Sequence, residues 1–183
     1  MAFDHTSPAA TWPFETLVAV LLKQFRRPLA AQGLDLSDAD AQAIARDAAA
    51  RRAPGEPAQA AVAALAAIIA ESEAVLAGWE LSFRESLAAG MDAIPGWHST
   101  AEFLEIANEK ANAEIRIGAG AALLAALGDL HRAQYLFDLI EYNPDEVEAI
   151  IARRVLLFLS GLDDGAPDWL ARARAWVESA RGE

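Results

Sequence analysis

The chain has 183 residues, 54% hydrophobic and 23% charged, with 15 lysines and arginines against 27 aspartates and glutamates. That length suits one domain, and its apolar fraction supplies a core and excludes intrinsic disorder. A formal charge of −12, two lysines (Lys23 and Lys110) and no basic run longer than a pair argue against nucleic acid and anionic membrane surfaces, and the lack of cysteine removes disulfides and thiolate chemistry.

Residues 1–11 are Ser-, Thr-, Pro- and Ala-containing and are expected to be a flexible tail before one helical domain over 12–183. The start has no basic segment followed by an apolar run, so it does not read as a signal peptide. The stretch Ala60 to Ala70, free of charged and strongly polar side chains, is about half the ~20 residues that span a bilayer. A soluble cytoplasmic protein is therefore expected.

Apolar spacings of three and four residues recur along the chain and strand-like alternation does not. Thr11 and Pro13 are placed to open a first helix with the stripe Phe14, Leu17, Val18, Leu21, Leu22 and Phe25, which Pro28 should stop or bend. Ser37 caps a second, alanine-faced helix to about Arg52, read as peripheral, and Pro54-Gly55-Glu56-Pro57 breaks it. A third helix runs from Pro57 to Ala89, with Gly78 a possible disturbance, and a turn follows from Gly90 to His98. Ser99 and Glu102 form a capping box for a helix that Gly128 ends. Asp129 caps the next, to Asn143-Pro144; another runs from Pro144 to about Ser160; the last spans Pro167 to Ala180 and buries Trp169, Leu170, Ala173, Trp176 and Val177. The fold class is all-α, a compact bundle or short solenoid of six to seven helices.

About 44 residues are alanine. Ala107, Ala111, Gly118, Ala121, Ala122 and Ala125 share one side of a helix, which favours close helix approach in the core; a self-association seam is the alternative reading. Ala133 and Phe137, after Gly128 and before Pro144, resemble the second half of a tetratricopeptide repeat. That resemblance covers about 17 residues, with Pro144 one residue early and no second copy 34 residues away. It implies no more than a capped helical hairpin.

Some charges fall on faces that should be apolar. Glu114 lies amid Phe103, Ile106, Ile117 and Leu124, with Lys110 one turn before it. Arg154 projects from the stripe of Val147, Ile150, Ile151, Val155 and Phe158, and Glu73 and Glu80 lie a heptad apart along Leu65, Ile69, Leu76 and Phe83. Burying an unpaired charge costs several kcal/mol, so Glu114 is expected to meet Arg154, with Lys110 and Glu73 or Glu80 joining. The network either fixes helix register or forms a ligand-binding pocket of Lys110, Glu114, Arg154, Glu73 and Glu80. Glu105, Asn108, Glu109, Asn112 and Arg116 read as an ordinary solvated side.

No catalytic set emerges. His5, His98 and His131 are never four residues apart, so no two-histidine zinc motif exists, and no metal or cofactor is expected. Glu102-x-x-Glu105 resembles the first motif of the all-α nucleotide pyrophosphohydrolases, without the Glu-x-x-Asp that should follow. His131 and Asp138 share a helix side but have no supporting nucleophile, and Trp97-His98 is a loop contact or a plug over the core. Two expectations remain: a protein-interaction or assembly module, or a small-molecule or ion-binding bundle using the charged pocket. The second includes enzymes.

Overall fold

The first apolar stripe does turn inward: Phe14, Leu17, Val18, Leu21, Leu22 and Phe25 are all buried, on α1 (Phe14–Gln24) and at its C-cap. The computed structural model describes residues 8–90 and 100–182, and among these the regular structure is entirely helical. After α1 come α2 (Arg26–Ala31), α3 (Asp38–Ala49), α4 (Glu56–Ala89), α5 (Thr100–Ala126), α6 (Gln134–Tyr142), α7 (Val147–Ser160) and α8 (Trp169–Arg181).

The additional helix arises from a break at Phe25, one turn before Pro28. Pro28 is the third residue of α2, where its missing N–H has no intrahelical partner to lose. Pro13, rather than Thr11, is the N-cap residue of α1. Ser37 caps α3 through a reciprocal box: its hydroxyl accepts from the Asp40 N–H at 3.1 Å, and the Asp40 carboxylate accepts from the Ser37 N–H at 3.2 Å. Only Ile44 and Ala45 of α3 are buried, in keeping with a peripheral helix.

Other details differ from expectation, and α7 starts at Val147 rather than Pro144. Gly78 does not interrupt α4; it lies in open space in a continuous helix. Asp129 does not cap α6 but accepts from the His131 N–H at 2.9 Å, closing a turn before the helix begins at Gln134. Gly128, at φ +97°, ends α5 as read from the sequence, because that left-handed conformation costs glycine nothing. The turn beyond Gly90, with Trp97 and His98, and the Ser99–Glu102 box fall outside the described residues.

The core has an axis. Every residue of α5 and its C-cap from Ile117 to Leu127 is buried, with α1, α4, α6 and α7 packed around it. Small residues make this enclosure feasible. A side chain at Gly118 would meet Leu139 at 2.9 Å, and one at Gly120 would meet Ile69 at 3.0 Å and Phe25 at 3.5 Å. The close-approach reading therefore holds for Gly118, Ala121, Ala122 and Ala125. Ala107 and Ala111 are exposed, which corrects the first half of that seam.

The start of the chain also departs from expectation. Pro8–Ala10 form a 3-10 turn packed on α7, with Ala9 buried, so this part of the 1–11 segment is docked. On α8, Ala173 and Val177 are buried, while Trp169, Leu170 and Trp176 are half-buried and lie against the core's edge. By length and composition Glu56–Glu85 is the one described stretch apolar enough to cross a membrane, at a mean hydropathy of 1.9. In this fold its Ala58, Ala61, Leu65, Ile68 and Ile69 are buried in the core.

Candidate functional site: the distal arm of α4 and α5

Helix α4 has 34 residues, about 51 Å at ~1.5 Å per residue, and no helix other than α5 exceeds 14 residues. It therefore outruns the packed body. Its last buried residue is Ser72, and the first on α5 is Ala113, among residues whose burial is described. Between these limits the two helices form an antiparallel arm with one shared, half-covered seam. Leu76, Trp79 and Phe83 of α4 and Ile106 and Lys110 of α5 are each half-buried there. Trp79 stacks on Phe83 with ring centroids 5.5 Å apart, and the Lys110 ammonium lies 5.0 Å from the centre of the Trp79 ring.

The arm also carries most of the apolar side chains that remain in water. Leu81 (58% exposed), Leu87 (50%), Leu104 (53%) and Ile115 (49%) lie on or at the base of it. Tyr142 is the only other large hydrophobic residue so exposed among the described residues. On one flank, a groove of about 680 Å³ separates the two helices. Val75, Leu104 and Ala113 provide its apolar surface, and Glu71, Glu105 and Glu109 its carboxylates, with Asn108, Asn112 and Arg116 on the α5 side. The Gln32 side chain donates to Glu71 at 2.6 Å, where α2 ends. Glu105, Glu109 and Arg116 form no ion pair among the described residues.

The expected charged network is not assembled. Lys110 pairs with Glu114 along the same helix at 3.2 Å, with the Glu114 side chain 53% exposed. Glu80 pairs with Arg84 one turn on, also in solvent. Arg154 donates to the carbonyl of Ala9 at 2.6 Å, tying the N-terminal 3-10 turn to α7; partial burial lowers the pKa of its guanidinium. Glu73 is the one of the five that bridges elements, accepting from Arg132 and, at 2.6 Å, from the Tyr135 hydroxyl. The hydrogen bond to Glu73 holds the Tyr135 phenol above its ordinary pKa, and burial adds to this. Thus the Glu114–Arg154 pairing is corrected, and the five residues occupy four separate places.

The reason lies in α5. A wheel drawn over its full length averages an enclosed half with a half that touches only α4. In the arm half, the covered line runs through Ile106, Lys110 and Ala113, and Glu114 is turned outward. Sequence reasoning missed the groove for the same reason. Glu105, Asn108, Glu109, Asn112 and Arg116 are solvated, as expected, but they also form one wall of it. A usable signal was the length of the two patterns, which exceeds that of any neighbour able to cover them.

The remaining chemistry-bearing residues do not converge. His131 is exposed, and Asp138 accepts from Gln134 at 2.7 Å. No group of three or more potential metal ligands occurs among the described residues. Ala133 and Phe137, the core of the repeat-like segment, are buried against the main body. Protein-family models, curated proteins and solved structures give no match to the chain.

Proposed function

We propose that the protein is a protein-interaction module that engages its partner through the α4–α5 arm. One observation supports this above the others: four of the five large exposed hydrophobics among the described residues lie on that arm or at its base. Leaving such half-exposed side chains in water forgoes roughly half of the ~1.5–3 kcal/mol that full burial of each would gain. Apolar surface gathered on one element in this way marks interaction surfaces more than monomer packing does. The alternative, a small-molecule bundle with a pocket of Lys110, Glu114 and Arg154, has less support, since Lys110 and Glu114 satisfy each other and Arg154 serves the N-terminal turn.

The test is a Leu81→Ser/Leu104→Ser variant. Both side chains are more than half exposed, so its unfolding midpoint should match that of the parent protein. Capture from an extract of the native host should then lose specific proteins retained by the parent. An unchanged set of captured proteins, with the variant folded, would overturn the proposal.

A further inference from the structure

The arm flank lined by Val75, Leu104 and Glu105 begins where the body's own covering helix stops. In the body, this side of the α4–α5 pair is closed by the α1–α2 corner. Phe25 lies against the position of Gly120 beside Ile69, and α2 packs on α4. At the end of α2 the Gln32 side chain donates to Glu71, and Glu71 also lines the groove. From Leu104 to Arg116 the groove follows α5 for about 18 Å at ~1.5 Å per residue, or between three and four helical turns. A groove of that length between two helices admits one more helix laid along it, which would turn a two-helix arm into a three-helix bundle.

Charge selects the occupant. Residues 71–90 and 100–116 carry eight carboxylates, at positions 71, 73, 80, 85, 102, 105, 109 and 114, against three cations at 84, 110 and 116. Glu73, Glu80 and Glu114 are matched by Arg132, Arg84 and Lys110; Glu71 accepts from the neutral Gln32; among the described residues Glu71, Glu105 and Glu109 have no ion-pair partner. A second copy of this arm would bring like charge against like charge. We infer that the groove takes an amphipathic helix of a different protein, whose apolar face meets Val75, Leu104 and Ala113 and whose flanking Lys or Arg residues meet Glu71, Glu105 and Glu109. This deepens the interaction-module reading and rests on it.

The probe is a labelled helical peptide of about 15 residues with a Leu/Ala face and Lys flanks, compared with a peptide of the same apolar face and Glu flanks. Fluorescence anisotropy with the full chain should show the Lys peptide binding at least about tenfold more tightly, with affinity falling as salt rises. Glu105→Lys/Glu109→Lys should reverse that preference. Asp163→Lys/Glu178→Lys, which makes the same charge change at exposed sites off the arm, should preserve it. Circular dichroism of each variant establishes that it is folded.

Equal binding of both peptides, abolished by Leu104→Asp, would overturn the charge assignment while leaving the arm as the docking element. Loss of Lys-peptide binding in both charge variants alike would reduce the effect to net charge and overturn the site. A dimer in sedimentation velocity that Glu105→Lys tightens would overturn it in favour of a second copy. Failure of both peptides to bind would overturn the groove assignment, and host-protein capture separately judges the arm's wider role.

Discussion

At the scale of single residues, Glu73 shows how a charge within an apolar stripe is accommodated. Its carboxylate takes the Arg132 guanidinium and the Tyr135 hydroxyl, and these fasten the start of α6 and the turn before it to the middle of α4. The proton on Tyr135 is held more tightly in the folded state than in the unfolded chain, whose tyrosine titrates near ~10. Stability from this bond is therefore fully present below that pH and is lost as pH rises through the higher folded value. Tyr135→Phe should cost about 1 kcal/mol in urea unfolding at pH 7. The gap from the parent protein should narrow as pH rises above ~10, where the parent must place a phenolate beside Glu73 or keep an unfavourable proton. A gap constant with pH would mean that the hydroxyl does not donate to Glu73. Glu73 itself was legible as a charge requiring a partner, because the spacing of Leu65, Ile69 and Leu76 fixes its direction from α4. Its partner was not legible: a helical wheel gives a face, and only tertiary contact decides that α6 rather than α7 lies opposite.

Among the elements, α4 and α5 each contain a body half and an arm half, and their glycines distinguish the two. Gly78 sits in the arm half with nothing within 4 Å of an added methyl group. Alanine there removes the entropy cost of glycine without a clash, so Gly78→Ala should stabilise the protein by about 0.5–1 kcal/mol. Gly120 lies in the enclosed half of α5, where the γ and δ carbons of Ile69 are 3.0 and 3.1 Å from an added carbon. Ile69 is β-branched and fully buried and has little freedom to move away, so Gly120→Val should destabilise by about 1–3 kcal/mol. Urea unfolding at a constant m-value checks both signs; equal effects at the two glycines would contradict the division of the helices. Local signals identified most elements well. The Ser37–Asp40 cap, the turn at Gly128 and the stop before Pro144 all reflect backbone chemistry confined to a few residues. The break at Phe25 was missed because Pro28 is tolerated in a first turn, and the start of α7 was misplaced because Pro144 precedes Val147 by a short turn.

Across the whole molecule, the same division predicts two levels of stability within one chain. The body has an axis, Ile117–Leu127, buried on every side, and opening an amide there requires most of the core to come apart. The arm has one seam whose described members, Leu76, Trp79, Phe83, Ile106 and Lys110, are only partly covered. Its helical hydrogen bonds are supported by a single neighbour, so local opening there sacrifices few apolar contacts. Native-state hydrogen exchange should therefore protect 117–126 with the global unfolding free energy and its full denaturant dependence. Amides of 76–88 and 104–112 should exchange through smaller openings with a weaker dependence. Saturation with the Lys-flanked peptide should raise protection on Val75 and along 104–112, leaving α8 unchanged, because only the groove gains a third helix. Uniform protection along α5 in the free protein would show that the arm is as firmly supported as the body, and would remove the physical reason for expecting a partner there.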